Sequence, residues 1–284
     1  MKIAKLDWNQ VDLIIENALE EDIGPRDLTT ELLFPEDTED SRCNAIIQAK
    51  EEGIIAGLPI AKRVFRKLKN DIRWVENKRD GESIAKGDIL VKINGSEKAV
   101  LAGERVALNF IQRLSGIATL TSKFVKAVEG LSVKITDTRK TVPGLRILDR
   151  YAVRTGGGRN HRMGLFDGVL IKDNHLKLIG SITDAINKIR KKSGVRFQIE
   201  VETSRLEEVR DALAAGADII MLDNMPLNTM KKSVEIINGR ALIEASGGIT
   251  LRNVRRVAET GVNIISIGSL THSPKALDIS LYLV

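Results

Sequence analysis

A single cysteine, Cys43, stands in 284 residues. One thiol excludes an intramolecular disulfide and any cysteine-based zinc cluster. It reads as a small buried apolar residue in a strand. Phe, Trp and Tyr make up only 4% of the chain. No arginine–aromatic interleaving accompanies them, so the stacking platforms that single-stranded nucleic acid needs are missing. No apolar run approaches the roughly 20 residues of a membrane-crossing helix. The first segment reaches Asp7, Asp12 and Glu16 without the apolar stretch of a secretory leader. These absences point to a cytoplasmic protein that binds neither nucleic acid nor membrane.

What is present supplies a globular core: 43% hydrophobic residues beside 29% charged ones. The net charge of +6 is unevenly placed. Residues 1–115 hold 18 Lys and Arg against 21 Asp and Glu, and residues 116–284 hold the other 26 against 17. The basic excess therefore lies in the later part, where it fits an anionic ligand.

Residues 9–22 carry Val11, Ile14, Ile15, Ala18 and Leu19 at helical spacing. Residues 41–50 alternate as a strand, 58–68 read as a helix, and 71–76, 83–85, 89–93 and 98–101 as short strands. Gly81, Gly87 and Asn94-Gly95 punctuate them. This is a small α+β module. Residues 80–90 resemble the strands of a lipoyl- or biotinyl-type sandwich. Lys92 then has two readings, a carrier lysine or a solvated lysine of a structural sheet, and one lysine near a turn favours the second.

From Gly103 the pattern changes. Residues 104–114 and 117–129 read as two helices. Apolar runs at 133–136, 168–171, 197–201, 219–222, 241–245 and 264–267 then alternate with helical segments at 144–154, 182–192, 205–215, 228–237 and 251–260. Strands that are apolar throughout are buried on both faces, as in a parallel sheet. This alternation predicts an α/β fold, closed into a barrel or doubly wound.

Each apolar run ends in chemistry-bearing residues: Asp137-Thr138-Arg139-Lys140, Lys172-Asp173-Asn174-His175, Glu202, Asp223-Asn224, Ser246-Gly247-Gly248 and Gly268-Ser269. In parallel α/β folds the carboxyl ends of the strands form the active-site face. Ser246, Gly247 and Gly248 precede a helix expected to open at Thr250, and Gly268-Ser269 repeats the pattern on the last strand. Both fit a phosphate held by backbone N–H groups. Arg139, Lys140, Lys172 and the segment Arg159-Asn160-His161-Arg162 supply cations suited to carboxylate and phosphate. Gly156-Gly157-Gly158 lacks the strand-to-helix setting of a dinucleotide fingerprint. Glu202 and Asp223, on neighbouring strands, fit a Mg²⁺ bridge to substrate oxygens, ribose hydroxyls, or a structural pairing with Lys172. His161 fits a general base or a donor that orients a carboxylate.

At these residues the sequence resembles the quinolinate phosphoribosyltransferases. The resemblance rests on Thr138-Arg139-Lys140-Thr141-Val142-Pro143-Gly144-Leu145-Arg146, on Tyr151-Ala152-Val153-Arg154-Thr155-Gly156-Gly157-Gly158 with Asn160-His161-Arg162, and on Lys172-Asp173-Asn174-His175. Glu200-Val201-Glu202, Leu222-Asp223-Asn224, Glu244-Ala245-Ser246-Gly247-Gly248 and Leu270-Thr271-His272-Ser273 extend it, and Glu21-Asp22-Ile23-Gly24 and Asp27-Leu28-Thr29-Thr30 carry it to the N-terminal part.

The resemblance implies an incomplete, open α/β barrel of TIM type over residues 116–270. An N-terminal α+β sandwich domain over 1–115 would be joined by the returning segment 271–284. It implies a pentosyltransferase in NAD biosynthesis that converts quinolinate and phosphoribosyl pyrophosphate into nicotinate mononucleotide, pyrophosphate and CO₂, with Mg²⁺. Thr138, Arg139, Lys140, His161, Arg162 and Lys172 would line the quinolinate and phosphate pocket. Glu202 and Asp223 would serve ribose and, through the substrate, Mg²⁺. Lys140, Lys172, Glu202 and Asp223 would be catalytic. Ser246, Gly247 and Gly248, with Ser266, Ile267 and Gly268, would hold the 5′-phosphate. Arg105 would enter the pocket of a neighbouring subunit, making a dimer, alone or within a hexamer, the functional unit. Other readings are a paralogue on the same fold with another pyridine or nucleobase acceptor, and a non-enzymatic phosphate-binding barrel. The acids at the strand ends would repel a polynucleotide backbone.

Overall fold

A computed structural model describes residues 6–34, 41–192 and 197–284. Its first elements follow the predicted spacing closely. Helix α1 (Trp8–Ile23) is capped by Asp7, whose carboxylate accepts the Asn9 N–H, and buries Val11 and Ile15. Helix α2 (Leu28–Leu33) is capped in the same way by Asp27. Strand β1 (Arg42–Ala49), the short β2 (Gly53–Ile54), helix α3 (Leu58–Leu68), and strands β3 (Arg73–Glu76), β4 (Ser83–Ile84) and β5 (Ile89–Ser96) come next. Helix α4 (Glu97–Ala127) then runs for 31 residues.

Three expectations are corrected here. Residues 98–101 are helix, not strand: Ser96 Oγ accepts the Ala99 N–H and caps α4, a signal that a four-residue apolar alternation obscured. The expected break near Gly116 does not occur, and α4 is continuous. A Cβ at Gly116 would overlap the Lys275 carbonyl, so this glycine admits a close backbone neighbour and does not end the helix. Asn94-Gly95 makes no turn. Both pair with β1 inside β5, which leaves Lys92 in the middle of a central strand and removes the turn-borne carrier lysine.

The chain continues with β6 (Lys134–Thr136), α5 (Arg146–Thr155), β7 (Val169–Ile171), α6 (Asp173–Ile179), α7 (Ile182–Lys192), β8 (Ile199–Thr203), α8 (Leu206–Ala214), β9 (Ile219–Asp223), α9 (Leu227–Ile237), β10 (Leu242–Ser246), α10 (Val254–Ala258), β11 (Ile264–Ser266), α11 (Ser269–His272) and β12 (Ile279–Leu283). Two compact units result. One comprises residues 1–122, 141–157 and 270–284, and the other 123–140 and 158–269.

In the first unit an antiparallel sheet has the order β12-β1-β5-β3, so the last strand pairs with the first. The unit's core includes Ile15, Ile47, Phe65, Leu90 and Ile111, all fully buried. Arg113 on α4 makes a bidentate pair with the buried Asp149 of α5, at 2.9 and 2.8 Å. Tyr151 donates to the half-buried Asp80, which also accepts the Gly57 and Leu58 N–H groups at the start of α3.

In the second unit a parallel sheet has the order β6-β11-β10-β9-β8-β7. Read cyclically this is chain order, as in a barrel, opened between β6 and β7. On its open side β6 carries one bridge, from Thr136 to Arg159. The fold is α/β, with an N-terminal antiparallel sheet domain and a six-stranded parallel α/β sheet, as expected. Among the described residues, no helix is long and apolar enough to cross a membrane.

Candidate active site

Residues two apart on a strand share a face. That rule stacks the polar ends of the parallel sheet into two layers. Lys172 just past β7, Glu202 at the end of β8, Asp223 at the end of β9 and Ser246 at the end of β10 form the outer layer. Leu170, Glu200, Met221 and Glu244 lie one step inward on the same strands. Side-chain contacts join two members of each layer. In the outer one, Lys172 Nζ donates to Glu202 Oε2 at 2.6 Å, and the lysine keeps 45% of its side chain exposed. In the inner one, Glu200 and Glu244 converge on one imidazole, with Oε2 atoms 3.2 and 3.5 Å from His161 Nε2.

His161 arrives on the segment that follows the Thr136–Arg159 bridge. The fully buried Asp137 anchors that segment, accepting the His161 N–H at 2.8 Å and the Asn160 side-chain amide at 2.5 Å. His161 Nδ1 accepts the N–H of Arg162 at 2.8 Å, and Arg162 donates to the Gly168 carbonyl at 2.8 Å. Burial works against an imidazolium here. Hydrogen bonds and charge from Glu200 and Glu244 outweigh it and raise the His161 pKa to about 10. Burial, with the Glu244 charge, also pushes Glu200 upward. Both shifts mean that the cluster keeps, at neutral pH, a proton that isolated groups would lose. The amide accepted at Nδ1 leaves a ring N–H on Nε2, facing the two carboxylates.

The loops follow from positive φ angles. Gly247 has φ +86° and Gly248 φ +62°, left-handed conformations that favour glycine. Asn224, itself at φ 53°, donates its backbone N–H to the Ser246 carbonyl and its side-chain amide to Asp223 Oδ2 at 2.8 Å. Among the described residues no protein acceptor takes the Gly247 or Gly248 N–H. The helix expected at Thr250 begins at Val254. Asn253 instead ties the loop, accepting the Thr250 N–H and donating to the Gly248 carbonyl. On the last strand the Ile267 N–H is used by the Thr136 carbonyl, Ser266 is buried, and α11 starts directly after Gly268.

Comparison with known proteins accords with this arrangement. Residues 117–282 match the family described as quinolinate phosphoribosyl transferase, C-terminal domain, and residues 27–115 match its N-terminal domain. The chain belongs to the quinolinate phosphoribosyl transferase family. It is 47% identical over 272 residues to the probable nicotinate-nucleotide pyrophosphorylase (carboxylating) of Bacillus subtilis, covering 96% of this chain and 93% of that one. Among solved structures it is similar to NadC from Streptococcus pyogenes, with a TM-score of 0.93, 39% identity and 99% of each chain covered. The nicotinate-nucleotide pyrophosphorylase of Ehrlichia chaffeensis gives 0.92, with 42% identity over the whole of both chains.

Set in this family, the residues singled out from the sequence divide by unit. Thr138, Arg139, Lys140, His161, Arg162, Lys172, Glu202, Asp223, Ser246, Gly247, Gly248, Ser266, Ile267 and Gly268 all belong to the second unit. Arg105 lies in the first, exposed on α4. Thr138 Oγ1 accepts the Lys140 N–H, which leaves the exposed lysine side chain at the head of its loop. The motif at Lys172–His175 proves to be a helix cap: His175 Nδ1 accepts the Lys172 N–H at the start of α6, an element absent from the sequence reading. The donor set fits the Mg²⁺ that the resemblance implies. Glu202 and Asp223 each have one carboxylate oxygen engaged and one without a protein partner among the described residues. Two half-open carboxylates suit a hydrated ion carried on substrate phosphates better than an all-protein cage. Sequence reasoning did not assign the layer beneath, Asp137, Asn160, Glu200 and Glu244. Only the alternation on β8 and β10, which puts Glu200 under Glu202 and Glu244 under Ser246, could have pointed to it.

Proposed function

We infer that this chain is a carboxylating nicotinate-nucleotide pyrophosphorylase of de novo NAD biosynthesis. It transfers a phosphoribosyl group from phosphoribosyl pyrophosphate to quinolinate and releases pyrophosphate and CO₂. The observation that carries the residue roles is the Lys172–Glu202 pair at adjacent strand ends. It sets a half-exposed cation beside an acid at the carboxyl ends of β7 and β8, the same end of the sheet at which residues 138–140 follow β6 and the glycine loop at 246–248 follows β10.

Both substrates are polyanions, so the pocket needs several cations. Arg139 and Arg162 receive the quinolinate carboxylates, and Lys140 and Lys172 the leaving pyrophosphate. His161 enters the site through Arg162, because both of its ring nitrogens have protein partners. Glu202 and Asp223 hold the ribose hydroxyls. The Gly247 and Gly248 N–H groups hold the 5′-phosphate, with Ser246, Ser266, Ile267 and Gly268 shaping its walls. The pyridine nitrogen attacks the anomeric carbon with its own lone pair, and the C1–O bond to pyrophosphate breaks, so no strong base is required. Lys140 and Lys172 stabilise the charge that develops on the leaving oxygens. The ribosylated ring nitrogen is cationic. It stabilises the carbanion left at C2 when CO₂ departs, and a proton from solvent then bonds to that pair, so no separate electron-sink cofactor is required. Mg²⁺, held through Glu202, Asp223 and the substrate phosphates, would supply charge neutralisation for pyrophosphate departure.

The functional assembly is a dimer or a multiple of it, in which Arg105 of one chain completes the pocket of the next. The division into a domain of residues 1–115 with 271–284 and a catalytic domain of 116–270 follows the same reading. Plant relatives include chloroplastic and mitochondrial forms; for this chain we place the reaction in the cytoplasm. The test is an assay with quinolinate, phosphoribosyl pyrophosphate and Mg²⁺, reading labelled CO₂ and pyrophosphate, with nicotinate as control acceptor. Product from nicotinate but not from quinolinate overturns the assignment.

A further inference from the structure

The catalytic reading leaves three buried acids without a task. Asp137 is fully buried, Glu244 is 1% exposed and Glu200 5%. They sit directly beneath a pocket that must attract dianions, where negative charge is unfavourable unless it has a structural purpose. All three bear on one four-residue segment. Asp137 grips its backbone at Asn160 and His161. Glu200 and Glu244 grip the imidazole at one nitrogen, and the other nitrogen holds the Arg162 N–H. Arg162 is the residue at which the segment enters the cationic half of the site.

We propose that Glu200 and Glu244 are positioning residues for quinolinate: they clamp the His161 ring from the inner layer, and the ring in turn fixes the backbone from which the Arg162 guanidinium reaches a substrate carboxylate. The proposal rests on the assignment of Arg162 to the quinolinate half of the pocket. Its physical logic is that a bidentate guanidinium recognises a carboxylate only when its fork is held in place. Arg162 sits in an irregular segment, with no helix or strand to hold its backbone. Two acids on two different strands, acting through one rigid ring, supply that rigidity. The Arg162–Gly168 hydrogen bond fixes the far end of the same side chain.

His161, Glu200 and Glu244 also lie close enough to one another to hold a metal ion, with ligand atoms within 4.8 Å. The neighbouring Arg162 supplies positive charge to Glu200 without one. The clamp therefore works with protein groups alone.

The test is steady-state kinetics on the Mg²⁺-supplied enzyme. Glu200→Ala and Glu244→Ala are each expected to raise KM for quinolinate roughly ten- to a hundredfold, as a misplaced substrate anchor does. KM for phosphoribosyl pyrophosphate should stay within about twofold, since Arg162 does not serve the sugar phosphate. Glu244→Gln, which still offers an acceptor to Nε2–H, should recover most of the loss. In a His161→Asn background, Glu244→Ala should add nothing, because both changes break the same clamp.

A quinolinate KM unchanged in both alanine variants overturns the clamp, as does a parallel rise in both KM values with a lowered Tm, which is the mark of a merely structural role. Loss of quinolinate affinity on chelation and dialysis, restored by a transition metal but not by Mg²⁺, overturns it in favour of a bound ion. Arg162→Ala separates the two levels. If it raises the quinolinate KM while the glutamate variants do not, the clamp is wrong and the site assignment stands. If Arg162→Ala leaves that KM unchanged, the assignment itself fails.

Discussion

Gly247 and Gly248 are adjacent, both have positive φ, and they differ in what a side chain would meet. An added Cβ at Gly248 finds nothing within 4 Å, whereas at Gly247 it overlaps the Asn224 side-chain amide. Gly248→Ala should therefore cost only the backbone term, about 1–2 kcal/mol for an L-residue forced into the left-handed region. Gly247→Ala should cost that and about 1 kcal/mol more, because Asn224 must swing away and lose its hydrogen bond to Asp223. The extra increment corresponds to a Tm difference of roughly 2–4 °C for a domain of this size. The consequence for activity is sharper, since Asp223 is assigned to the ribose. Gly247→Ala should raise KM for phosphoribosyl pyrophosphate well beyond the rise in Gly248→Ala, with KM for quinolinate little changed in either. Paired thermal melts and initial-rate measurements decide this. Equal melting temperatures and equal KM values for the two variants would refute the claim that Gly247 is reserved for Asn224 and, through it, for Asp223.

Arg113→Met should destabilise the protein by about 3–5 kcal/mol in urea titrations, because it strands the buried Asp149 carboxylate, and Arg113→Met with Asp149→Leu should recover much of the loss. Lys172→Met should change stability by less than about 1 kcal/mol, since its partnered lysine is nearly half exposed, yet lower turnover by on the order of a hundredfold; a turnover within about twofold of wild type would remove Lys172 from the chemistry. The His161 cluster predicts a pH dependence of stability. Its folded pKa is raised from 6.5 to about 10, so its contribution is fully present below 6.5 and is lost as pH rises through about 10. Urea midpoints should fall over that window, and His161→Asn should flatten the fall; a midpoint that rises with pH in the wild type would contradict the assignment.

The alternation of apolar runs and amphipathic segments by itself determined the parallel α/β architecture. The residues after each run determined which end of the sheet gathers the charged and glycine-rich segments, because strand polarity and side-chain period are local properties of the backbone. The glycine loop at residues 246–248 was legible for the same reason: its glycines follow an apolar run and precede a helical segment in sequence. Tertiary structure decided the rest. Gly116 looked like a helix break because sequence cannot show that the Lys275 backbone passes there, and residues 98–101 looked like a strand because four residues do not distinguish periods of 2 and 3.6. The convergence of Asp137, Glu200 and Glu244 on the segment carrying His161 was beyond sequence, since it joins β6, β8 and β10 across a sheet whose order only folding establishes. The pKa of His161 follows from that convergence. Burial and the two carboxylates act on the ring through space, and none of them is its neighbour in the chain.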